Sequence, residues 1–261
     1  MWQALRTELH PLGVEIVTVS LELSGPDASR PFIEAAKPDH PSLLDPTHQL
    51  CTLFGVVNIP NVIWIDEQGI IVRPAEPGWA GVAEYPESLQ KMMAERAKQA
   101  AEAAKEAAKD AAKPKGNIMS AIAGGQDREA YPDAIRDWAV NGPSSAYALT
   151  PDQVIDASMP RSTEVSGAAA HFELANHLWR AGSRSSAIWH FDQAHRLQPG
   201  NWTYKRQAWS LVGHERVGGE LGRFSQNPLP GEEAEWPFAT SFDQALATVQ
   251  PGEYYPNTMS R

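Results

Sequence analysis

One stretch divides this chain. Between Pro86 and Lys115 the run QKMMAERAKQAAEAAKEAAKDAAKPK is built almost wholly of Ala, Glu and Lys. Alanine has the highest helix propensity, and Glu and Lys three to four residues apart support one another on a helix surface. At ~1.5 Å per residue the run reaches ~40 Å. Past Met93 its apolar surface is alanine alone, so it has little to bury. The pattern predicts a solvated helical linker over 86–115, acting as a spacer, with a partner-binding helix as the alternative. The cores must then lie on either side, over 1–85 and 116–261.

On the N-terminal side, short helical patterns alternate with β-branched strands. Trp2, Leu5 and Leu9 share one helical face, and Gly13 ends that helix. A strand is predicted over Val14–Leu21 and a short helix over Pro31–Ala36, with Pro31 in its first turn. Ser42-Leu43-Leu44 reads as a brief strand. Asp45 then caps a helix whose buried stripe is expected to be Leu50, Leu53 and Phe54. Asn61–Ile65 and Ile70–Arg73 form a hairpin around Asp66-Glu67-Gln68-Gly69, with Gly69 where positive φ is needed. Such alternation means an α/β domain.

On the C-terminal side the chain is helical and tryptophan-rich. Over Ala168–Asn201 two helical patterns meet at Ala181-Gly182-Ser183, and Pro199 stops the second. Ala175, Ala187 and Ala194 allow the helices to approach. Leu174, Leu178, Ile188, Phe191 and Leu197 are expected to supply the buried faces. The tail from Glu233 to Asn257 is predicted to wrap back through Trp236, Phe238, Tyr254 and Tyr255.

Several function classes are excluded. A net charge of −10 lacks the basic footprint of a nucleic-acid binder. No apolar run approaches the ~18 residues of a membrane span, and the first residues are not a secretory signal. As written the chain reads as cytoplasmic. The single cysteine, Cys51, permits no intrachain disulfide, CxxC motif or thiolate metal centre. The eight histidines form no HExxH-like pattern; His171 with His177, and His190 with His195, are badly spaced for one ligand face. Neither metal nor cofactor is implied. Gly218-Gly219 lacks the surroundings of a phosphate loop and is read as a turn between helices.

Two resemblances follow. Ala168–Asn201 resembles one tetratricopeptide repeat, carried by Leu174, Ala175, Gly182, Ala187, Phe191, Ala194 and Pro199 over a 34-residue period. It implies a protein-interaction surface, and the plain alternative is a helical hairpin that closes the fold. Residues from Met1 to about Trp79 resemble the redoxin branch of thioredoxin-like proteins, the cytochrome-maturation thioredoxins and alkyl-hydroperoxide-reductase-like proteins. The carriers are Val14–Leu21, Leu44-Asp45, Phe54-Gly55-Val56 and Ile59-Pro60-Asn61.

The redoxin resemblance implies a cis-proline loop in which Ile59, Pro60 and Asn61 line the substrate site, and a protein thiol or disulfide as substrate or reductant. It also implies a central strand and a Trp-Cys-x-x-Cys segment ahead of the first helix. The expectation is therefore an incomplete thioredoxin-like domain over 1–85, either with its nucleophile, cysteine or selenocysteine, lying upstream of Met1, or as a degenerate domain that has lost it. Cys51 is then either a buried small hydrophobe or a resolving thiol. The implied activity is thiol–disulfide or peroxide reduction; the alternative is a non-catalytic binding module using the cis-proline loop and the repeat surface.

Overall fold

The computed structural model describes residues 1–81, 130–158, 160–213, 226–228, 231–250 and 252–256. The linker expected over 86–115 and the glycine pair at 218–219 lie outside these residues. The described fold is mixed α/β, with nine α-helices and four short strands. No described helix is long and apolar enough to cross a membrane.

Helix α1, Trp2–Leu9, buries Leu5 and Leu9, as its apolar spacing requires. A 3-10 turn over His10–Leu12 follows and ends at Gly13. Strand β1 is only Thr18–Ser20, shorter than the β-branched run that contains it. A strand is defined by its neighbour, and the partner β2, Ser42–Leu44, has three residues to offer. Helix α2 runs Pro26–Ala36, beginning five residues before the expected Pro31. Pro26 occupies the first turn, where its missing N–H costs nothing, and Pro31 is accommodated inside the helix.

Helix α3, Gln49–Phe54, corrects the predicted buried stripe. Leu53 is 73% exposed and Cys51 is the buried residue. Asp45 does cap this helix, but from a turn before it. Its carboxylate accepts from the backbone N–H groups of Gln49 at 3.0 Å and Leu50 at 2.8 Å. This start rotates the helix so that Cys51, not Leu53, faces inward.

Strands β3, Asn61–Ile65, and β4, Ile71–Pro77, form the expected antiparallel hairpin. Gly69 has φ +80°, and Asp66 Oδ1 accepts from the N–H groups of Gln68 and Ile70. β1 and β2 pair in parallel. Among the described residues the two pairs remain separate two-stranded sheets.

Beyond residue 129 come α4 (Ala130–Asn141), α5 (Pro151–Ser158), α6 (Thr163–Arg180), α7 (Arg184–Leu197), α8 (Trp202–Gly213) and α9 (Phe242–Leu246). α6 and α7 form the predicted helix pair, with Ala175, Ala187, Phe191 and Ala194 fully buried. Leu174 is 41% exposed, so it does not belong to the buried face assigned to it.

Two cores result, and each draws on both ends of the sequence. In one, Leu5, Leu9 and Trp64 meet Tyr131, Ala134 and Ile135. In the other, Cys51 and Val56 join Phe172, Phe191, Trp202, Trp209, Phe242 and Tyr254. Gly78 marks a tight point in the first. A Cβ there would lie 2.6 Å from both Tyr131 and Val62 side-chain atoms, so only glycine fits.

Candidate functional site

The segment Val56–Asn61 connects α3 to β3, and the Ile59–Pro60 peptide bond is cis. Its geometry is fixed from three directions. On the α3 side Gly55 closes the helix at φ +73°, and the Val56 N–H donates to Cys51 O at 2.9 Å. From α8, the Thr203 N–H donates to Val57 O at 3.1 Å. From the C-terminal segment, Tyr255 Oη donates to Ile59 O at 2.6 Å, while Asn58 Nδ2 donates to Tyr254 O at 2.8 Å. Asn58 Oδ1 in turn accepts from the Ile59 N–H at 2.9 Å.

Both backbone polar groups of Ile59 are thus engaged inside the protein. The predicted wrapping of the tail occurs, with Phe238, Tyr254 and Tyr255 buried. Its destination includes this loop as well as the helices, and Tyr255 meets Trp79 edge-on at 5.4 Å. The side chains of Ile59 and Pro60 face solvent. Asn61 is half-buried, and its Oδ1 has no hydrogen-bond partner among the described residues. An extended peptide that used the Ile59 backbone would have to displace the Tyr255 hydroxyl.

Cys51 is 2% exposed, and its Sγ–H donates to Val56 O at 2.9 Å. Burial, reinforced by the Asp45 carboxylate, pushes the thiol up to about 12. A thiolate is the reactive form, and these surroundings disfavour it at neutral pH. These surroundings suit a small buried hydrophobe. With the thiol raised from 9.0 to about 12, native Cys51 is expected to react with an aromatic disulfide reagent roughly 10³-fold more slowly than a free thiol at pH 8. It should become fully reactive in guanidinium. Rapid stoichiometric labelling of the native protein would contradict this burial.

Comparison with protein-family models, with curated proteins and with solved structures finds no match. Function must therefore be argued from the chain itself.

The fold assembles two polar clusters that the sequence reading missed. Arg73 and Glu76 on β4 form a buried bidentate ion pair, and Tyr131 of α4 donates to Glu76 Oε1 at 3.2 Å. His171 of α6 and His190 of α7 meet with their Nδ1 atoms 2.7 Å apart. The second was legible in principle. In a helical hairpin that turns at Ala181–Ser183, residues at similar distances on either side of the turn face each other, as Phe172 and Phe191 also do. Among the described residues, no three His, Cys, Asp or Glu side chains are grouped to hold a metal.

Proposed function

We propose that residues 1–79 are a thioredoxin-like, redoxin-type scaffold, and that the protein works in thiol–disulfide or peroxide reduction with a reactive thiol or selenol held ahead of α1. The reading is carried by one arrangement: two unjoined strand pairs, β1–β2 and β3–β4, with the cis Ile59–Pro60 bond at the entry to β3. In the family this chain resembles, a central strand runs between such pairs and delivers the nucleophile beside the cis-proline. A thiolate there attacks a disulfide sulfur, forms a mixed disulfide and releases the other sulfur as thiolate. The reading gives Cys51 no part in that step, since its burial disfavours the thiolate. Ile59 and Pro60 would form the wall against which the substrate rests, with Asn61 beside them.

The test is to append a β-strand and a Trp-Cys-x-x-Cys segment ahead of Met1 and to measure disulfide and peroxide reduction with a dithiol reductant. Turnover is expected from the extended protein and not from the present chain. It should vanish when the first appended cysteine becomes serine and should survive Cys51→Ser. An extended protein that folds yet turns over no faster than its serine variant would refute the proposal. So would Cys51-dependent turnover.

A second reading is a non-catalytic protein-binding module. It is favoured by the exposed apolar side chains Leu53, Val57 and Ile59, which are 73%, 38% and 42% exposed within one short stretch beside the loop. The helix pair α6–α7 would add to that surface. Peptide binding that persists in the inactive serine variant, and is lost in Ile59→Asp, would favour this reading.

A further inference from the structure

We propose that His171 and His190 form a two-imidazole clamp for a borderline divalent transition-metal ion such as Zn²⁺, bound through both Nδ1 atoms with water completing its shell. The two nitrogens come from different helices of a rigid hairpin and approach to 2.7 Å, with ring centroids 5.0 Å apart. At that separation one neutral ring donates its Nδ1–H to the lone pair of the other. Two Zn–N bonds of ~2.0–2.1 Å meeting near the tetrahedral angle hold their nitrogens about 3.3 Å apart. The pair must open by about 0.6 Å, which rotation about the χ1 and χ2 torsions of the two side chains would supply. The donor ring shifts its proton to Nε2, so both Nδ1 lone pairs turn to the metal.

The surroundings suit this role. Both rings are only partly buried, and His190 borders a shallow cavity of about 310 Å³ that it shares with Ser185, Ser186 and Trp189. The indole of Trp189 lies edge-on to both rings, at 5.8 Å from His171 and 4.7 Å from His190, and narrows the angles they adopt. Trp189 is itself 55% exposed, so the core does not explain its position. The Arg196 guanidinium opposes a bound cation, although two hydrogen bonds to Gln193 Oε1 hold it. A borderline ion with strong imidazole affinity is favoured over Mg²⁺ or Ca²⁺, which seek oxygen.

The experiment is calorimetric titration of the full chain with ZnCl₂, alongside His171→Ala, His190→Ala and the double variant. One site is expected in the parent protein. Each single variant should weaken it at least tenfold, and the double variant should weaken it no further, because a clamp fails when either jaw is lost. His177→Ala should leave the site intact. Nitrogen-15 spectra of the unmodified protein supply a readout independent of folding. One equivalent of Zn²⁺ should move the Nδ1 resonances of His171 and His190 together. Equal Zn²⁺ affinity in the parent and the alanine variants, or Nδ1 resonances that stay in place, would overturn the proposal.

Discussion

Arg73→Met is expected to lower the unfolding free energy by about 3–5 kcal/mol, the cost of stranding a buried carboxylate. The Arg73 and Glu76 side chains are each only 7% exposed, and they pair through two bonds of 2.6 and 2.8 Å. The guanidinium also donates to Tyr147 O at 2.8 Å and lies 5.4 Å from the Trp64 ring. Glu76 accepts from the Tyr131 hydroxyl, which in turn accepts from Trp64 Nε1 at 3.0 Å. Burial and the Glu76 charge raise the Tyr131 hydroxyl well above its ordinary range, so it remains a donor. Methionine removes the cation and leaves Glu76 without its charge partner. The double change Arg73→Met with Glu76→Leu removes both charges, and it should recover most of the loss or exceed the parent, since a buried pair repays its desolvation poorly. Denaturant unfolding of the two singles and the double closes the cycle. A single-variant cost below about 1 kcal/mol would mean that water reaches the pair and that it behaves as a surface bridge.

The same cluster marks the limit of what the sequence could tell. Local chemistry was readable: Asp66 and Gly69 specify the β3–β4 turn, and the alanines of α6 and α7 specify a close helix pair. Those signals act over a few residues and need no knowledge of what lies opposite. Glu76 and Tyr131 are 55 positions apart with the alanine-rich run between them, and no spacing rule connects them. Leu53 and Leu174 failed for a related reason. Helical periodicity fixes which residues share a face, but the start of the helix and its neighbours decide which face is turned inward. The length of β1 depended on β2, and the candidate site depended on the tail. Nothing near Ile59 announces that a tyrosine 196 residues away will hold its carbonyl.

Mild acidification is expected to destabilise the fold. His48 is completely buried and His195 is 7% exposed, and neither ring makes a hydrogen bond of good geometry among the described residues, although Gln207 and the Tyr204 backbone pull weakly toward the charged forms. Burial pushes His48 down to about 4, against an opposing pull from the Asp45 carboxylate. Burial also pushes His195 down to about 3, and the Lys205 charge adds to the shift. The Asp192 carboxylate stands 3.8 Å from His195 Nδ1, too far to pair with it. Both folded-state values lie below the ordinary 6.5. Between pH 6.5 and about 4 the unfolded chain therefore binds protons that the native protein refuses, and stability falls as pH falls. With two such groups the slope approaches about 2.7 kcal/mol per pH unit, so the loss at pH 4.5 is of the order of the whole stability of an ordinary domain. Exposed ion pairs contribute only at the acidic end of this window. Glu15, drawn down to about 2 by Arg6, begins to lose its advantage only below 4.5. Urea unfolding at intervals from pH 7.5 to 4.5 measures the slope, and His195→Leu should halve it, since leucine keeps the apolar packing against Trp209 and Phe238 without the titrating ring. A flat profile down to pH 5 would show that both imidazoles are reachable by water. His48 also rests edge-on against Phe172 at 5.1 Å, so the contact between the start of α3 and α6 is where acid unfolding should begin.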